Sequence, residues 1–100
     1  MKPRLTIPDA ALADLCGRWR ITRLSLFGSA VRDDFGPDSD VDVLVEFDPD
    51  HTPDLLDISR ISRELSSLLG GRDVDLVTPG GLHPRLKDRI LAEAVERFAA

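Results

Sequence analysis

The amino-acid pattern predicts an α/β fold in which a small sheet of about three strands is flanked by helices. Three observations predict it. Apolar residues recur at three- and four-residue intervals through "LLDISRISRELSSLL", the period of an amphipathic helix. Short segments rich in β-branched residues, "ITRLSLF", "DVDVLVEF" and "RDVDLVT", read as strands. Glycine and proline stand between these segments, and helical and extended stretches alternate along the chain.

The elements follow in order. Pro8 and Asp9 start a helix that carries Ala11, Leu12, Leu15 and Cys16 inward and has Gly17 near its end. Ile21 to Phe27 forms the first strand and runs into Gly28-Ser29. A short helical turn over Ser29 to Asp34 is closed by Gly36-Pro37, and Asp40 to Phe47 makes the second strand. After the loop "DPDHTPD", a helix presents Leu55, Ile58, Ile61, Leu65, Leu68 and Leu69 and stops at Gly70-Gly71. "RDVDLVT" supplies the third strand and "PGG" a turn. A last helix begins near Pro84, with Leu86, Ile90, Leu91, Ala94, Val95 and Phe98 on its inner face. With 100 residues, 42% of them hydrophobic, the chain is expected to form a single domain, 1–100, around one core. Aromatic residues make up only 5%, so that core is built mainly from Leu, Ile, Val and Ala.

Composition narrows the function. A formal net charge of -5 argues against broad electrostatic binding to a nucleic-acid backbone, although an acidic protein can handle nucleotides through a metal ion. Cys16 is the one cysteine, which excludes an internal disulfide and a cysteine-based zinc cluster; it reads as a small core residue. "MKPRLTIPDA" has no apolar run of signal-peptide length and no segment is long enough to span a membrane, so a cytoplasmic location is expected.

The acidic residues carry the chemical signal. Side chains alternate along a strand, so Asp40 and Asp42 project from one face while Val41 and Val43 point the other way. Two carboxylates held that close call for a counter-charge, and Mg²⁺, a hard cation with a preference for oxygen, supplies it. If the third strand lies alongside, Asp75 faces the same site, and three carboxylates could hold two Mg²⁺ ions about 3.5–4 Å apart. The plainer alternative is an exposed edge strand whose charges discourage aggregation, and Asp73 fits that role. Gly28-Ser29 can let a phosphate approach the backbone closely, or can simply end a strand. Arg32 can reach the same anion or pair with Asp33 or Asp34, and Ser39 can brace the loop before Asp40.

Taken together, Gly28-Ser29, ten intervening residues, Asp40-Val41-Asp42 and a later strand carboxylate at Asp75 resemble the polymerase-β-like nucleotidyltransferase superfamily. The chain looks most like its minimal nucleotidyltransferase (MNT) domains, a likeness that extends to "DVDLVTP" and "LHPRLKDRILAEAV". It departs from many relatives in having Asp33, not glycine, after Arg32. The resemblance implies a polymerase-β-like palm with a small mixed sheet. It assigns metal binding to Asp40, Asp42 and Asp75, with Asp75 also the general base, and triphosphate binding to Gly28 and Ser29, with Arg32 and Ser39 beside them. It also implies attack of a hydroxyl on the α-phosphate of an NTP, with ATP as donor and two Mg²⁺ ions. Many MNT domains are antitoxins that transfer AMP to a tyrosine of a HEPN-type ribonuclease toxin, and a partner of that kind is implied here.

Size points the same way. The predicted strands and helices occupy residues 1–100, so an acceptor is expected to dock from outside, with a protein partner supplying the missing wall. Two alternatives stand beside this reading. One is an antitoxin that neutralises by contact alone; the other is an enzyme with a small-molecule acceptor. His51 and His83 fall in loops and read as surface residues, Trp19 as a core or edge anchor or an interface residue, and the charges from Arg85 to Arg97 as a solvated helix face or a docking helix.

Overall fold

A computed structural model describes residues 7–31 and 40–100. Helix α1 (Asp9–Trp19) begins after Pro8, whose backbone is extended and whose carbonyl accepts from the Leu12 N–H at 2.9 Å. It runs past Gly17 and ends where Arg20 turns left-handed, φ 57°, donating its N–H to the Cys16 and Gly17 carbonyls. Strand β1 (Ile21–Phe27) follows at once, then a 3₁₀ turn over Gly28–Val31 and strand β2 (Val41–Phe47). β1 and β2 are antiparallel, with Leu26 opposite Val43 and Phe27 opposite Asp42.

Helix α2 (Leu55–Leu68) carries the chain from β2 to β3 (Val74–Val77), which lies parallel to β2 with Val41 beside Val74 and Asp42 beside Asp75. Parallel neighbours need such a crossover. A capping box opens α2. Asp54 accepts from the Asp57 N–H at 2.8 Å, and Asp57 accepts from the Asp54 N–H at 3.2 Å. Ile61 and Leu65, followed by Leu69 just past the end, fill the core, as their spacing predicts. Leu55, expected on that face, is 87% exposed in the first turn of the helix.

The last helix is shorter than its apolar spacing suggests. Helix α3 (Pro84–Glu93) stops where Ala94 becomes extended, and Val95–Ala99 forms a fourth strand, β4, antiparallel to β1. Val95 and Phe98 are therefore strand residues opposite Leu26 and Leu24, and Leu86 and Leu91 are 49% and 44% exposed. The reason is tertiary. Without β4, the outer edge of β1 would present a row of unpaired backbone groups, and a segment holding Val and Phe is well suited to pair with it. The sheet is mixed, with order β3-β2-β1-β4.

The main core lies on one face of this sheet. Val41, Val43 and Val45 of β2 and Leu24 and Leu26 of β1 are buried there against Leu12, Leu15 and Cys16 of α1 and the apolar face of α2. Trp19, partly buried, donates from Nε1 to Glu64 at 2.6 Å, and Arg18 joins Asp14 and Glu64 at 2.9 and 2.8 Å, which ties α1 to α2. The residues of opposite parity, Ser25, Phe27, Asp42 and Leu44, belong to the reverse face, where Ser25 and Leu44 are register partners and both buried. Among the described residues no helix is long and apolar enough to cross a membrane.

Candidate active site

The reverse face carries the acidic residues. Asp42 is the second residue of β2 and Asp75 the second of β3, and the parallel register sets them side by side. The Val41 N–H donates to the Asp73 carbonyl at 2.9 Å, so the ladder is already formed where the two carboxylates stand. Asp75 is exposed and Asp42 half-buried. Asp40 lies exposed one residue before β2 and two before Asp42. Asp73, read as a solvated neighbour, is exposed.

Gly28 completes the geometry. It opens the 3₁₀ turn with φ 66°, a left-handed conformation that favours glycine. A Cβ built on Gly28 would overlap Oδ2 of Asp42 and lie 3.2 Å from its Cγ. The Gly28 backbone and the Asp42 carboxylate thus share one van der Waals surface, and no other residue fits at position 28 without moving the carboxylate. Sequence spacing suggested that the turn and the aspartates served one site; the antiparallel pairing of Phe27 with Asp42 brings them into contact. Ser29 follows in the same turn. Arg32 and Ser39 lie outside the described residues.

Among the described residues no group of three or more His, Cys, Asp or Glu is gathered at metal-holding spacing. The structure brings together Asp42 and Asp75, with Asp40 flanking them. Asp42 and Asp75 offer carboxylate oxygens in adjacent register, Asp42 against a glycine backbone. That donor set suits a hard, oxygen-preferring dication and not a soft metal.

A recess of about 240 Å³ adjoins Gly28, lined by Phe27, Gly28, Leu86, Arg89, Ile90 and Glu93. Arg89 and Glu93 form an i,i+4 pair, Nε to Oε1 at 3.3 Å, with both side chains exposed. The sequence left these charges as a solvated helix face or a docking helix, since nothing in "DRILAE" marks one face of α3 as adjoining the glycine turn. His83 proves to be the cap of α3: its Nδ1 accepts from the Arg85 N–H at 3.1 Å.

Comparison with known proteins places the same region in context. A family model for the nucleotidyltransferase domain matches residues 9–96. The protein adenylyltransferase MntA of Thermococcus cleftensis is 38% identical over 90 residues, which cover 90% of this chain and 88% of that protein. A solved structure described as a candidate minimal nucleotidyltransferase superposes with a TM-score of 0.71 at 42% identity, covering 87% of this chain and 86% of its own. A structure of the tri-AMPylated Shewanella oneidensis HEPN toxin in complex with MNT antitoxin gives a TM-score of 0.65 at 19% identity, covering 92% of this chain and 70% of the matched one, a likeness of fold.

Proposed function

The chain belongs to the nucleotidyltransferase domain family and is a nucleotidyltransferase; from that premise we propose that it moves AMP from ATP to a tyrosine hydroxyl of a HEPN-type toxin partner, and so acts as an antitoxin in the cytoplasm. The observation that carries this reading is the contact of the Gly28 backbone with the Asp42 carboxylate, in register with Asp75. A turn suited to phosphates and a pair of carboxylates suited to a cation are thereby one site. A protein acceptor and a toxin partner are supported by the relatives, a protein adenylyltransferase at 38% identity and a HEPN toxin bound to an MNT antitoxin of the same fold.

In this mechanism the Gly28–Ser29 turn receives the polyphosphate, with Arg32 and Ser39 expected beside it. Asp40, Asp42 and Asp75 would hold two Mg²⁺ ions. When bound, these would neutralise charge on the entering and leaving oxygens. The acceptor oxygen forms a bond to the α-phosphorus, the bond to the α–β bridging oxygen breaks, and its electron pair leaves with pyrophosphate. Asp75, exposed at the open side of the site, takes the hydroxyl proton. Residues 1–100 act in this reading as one minimal domain, and the partner protein supplies the acceptor wall.

The test is intact mass spectrometry of the HEPN partner incubated with this chain, Mg²⁺ and each NTP in turn. The expected result is a gain of one or more AMP units with ATP, lost with Asp42→Asn. A partner that is bound and neutralised without any mass gain would overturn transfer in favour of inhibition by contact.

A further inference from the structure

The recess between the Gly28 turn and α3 has no part in the mechanism so far. Its position relative to the carboxylates follows from the sheet order. Moving from β3 to β1 one meets Asp75, then Asp42, then Gly28 at the end of β1; the recess adjoins Gly28 and is walled by α3, the helix that leads into β4. Phosphoryl transfer places the attacking and leaving oxygens roughly in line on opposite sides of the phosphorus. With Asp75 taking the acceptor's proton, the acceptor enters from the β3 side and pyrophosphate leaves toward Gly28 and the recess.

That end of the site needs positive charge. The three aspartates carry the opposite sign, and among the described residues lining the recess Arg89 is the cation. Its guanidinium is a planar fork that matches phosphate oxygens in pairs. In the present structure it is engaged by Glu93 at 3.3 Å, with the two side chains 69% and 41% exposed. A water-exposed pair of this kind is weak and readily exchanged. Leu86 and Ile90, with Phe27, form the apolar wall that sets α3, and with it Arg89, beside Gly28.

We propose that Arg89 receives the pyrophosphate portion of the nucleotide in this recess, and that Glu93 holds the guanidinium there while the site is empty. The inference rests on the nucleotidyl-transfer reading above. It makes Arg89 a contact to the leaving group, and Glu93 a positioning residue that competes with the phosphates for it.

Binding of magnesium pyrophosphate to the full chain, measured by calorimetry, tests this without the partner. Arg89→Ala should weaken pyrophosphate binding about 10-fold or more, the range for a hydrogen bond to a charged group. It should also raise KM for ATP while leaving KM for the protein acceptor unchanged. Arg89→Lys should recover part of the loss, and Glu93→Gln should tighten pyrophosphate binding. Unchanged pyrophosphate affinity in Arg89→Ala would overturn the proposal, as would a rise confined to KM for the acceptor, which would assign the recess to the acceptor instead. Should Arg89→Ala fail to fold, Arg89→Lys and Glu93→Gln make the same comparison in opposite directions. The two readings separate cleanly. If the wild-type chain modifies its partner but Arg89→Ala binds pyrophosphate normally, this inference alone fails. If no transfer occurs yet Arg89→Ala loses pyrophosphate, the anion site stands and the transfer reading falls.

Discussion

The two faces of β2 place residues one position apart in opposite environments. Val41, Val43 and Val45 are fully buried against α1 and α2, while Asp42, between two of them, stands half-buried against the Gly28 backbone and beside Asp75. On the valine face, removing atoms leaves a cavity, and its cost is a cost to folding. On the aspartate face, two carboxylates stand in adjacent register, where like charges repel and folding gains nothing from their pairing with each other. The difference teaches that this small domain keeps its stability and its chemistry on opposite sides of one sheet.

The largest expected break in that comparison comes from the valine side. Leu24→Ala, at a fully buried position opposite Val45, should lower the unfolding free energy by about 2–5 kcal/mol in urea titrations. The molecules that remain folded should transfer normally. Asp42→Asn should do the reverse. Transfer should fall by about 10²–10³-fold, whereas unfolding should shift by no more than about 1 kcal/mol. If Leu24→Ala reduced transfer as strongly as Asp42→Asn, at a temperature where both are folded, the separation of the faces would be broken.

Gly28→Ala sharpens the comparison, because position 28 touches the acidic face and also carries a left-handed backbone. It should cost about 1–3 kcal/mol of stability through strain. By displacing the Asp42 carboxylate it should also slow transfer by about 100-fold, as a misplacement near 1 Å would. A variant with normal transfer would detach the turn from the site.

The smallest effect appears only at alkaline pH and belongs to the core side. Burial pushes the Cys16 thiol from 9.0 up to about 11. The unfolded chain therefore releases this proton first as pH rises, and stability falls where the native state binds more protons than the unfolded one. The contribution is fully present below pH 9 and is lost as pH rises toward 11. Urea midpoints at pH 8 and pH 10 should show the decline, and Cys16→Ala should flatten it. Equal slopes in the two proteins would remove Cys16 as the cause.

Much of this was legible in the residues themselves. β1, β2, β3 and α2 announce themselves through local periodicity and flanking Gly, Pro and Asp, and those elements lie within a residue or two of where the pattern puts them. The candidate site was legible because Asp40, Asp42 and Asp75 occupy positions where an apolar strand gains nothing from charge. The fourth strand was not. Val95 and Phe98 continue the apolar spacing of α3 without a glycine or proline between, so helix and strand are equally consistent with the local pattern, and only the open edge of β1 decides. Leu55 continues the stripe of α2 in the same way, but the fold leaves it exposed.

Local pattern alone settles the alternation of helix and strand, the valine and aspartate faces of β2, and the aspartates that follow a glycine turn, because each of these depends on neighbours a few residues away. The tertiary structure decided which strands are adjacent, that Gly28 leans on Asp42, and that Arg89 and Glu93 line a recess beside that glycine. Those contacts join residues far apart in the chain. They exist only because backbone hydrogen bonding at the strand edges and burial of the apolar face leave the chain this one way to close.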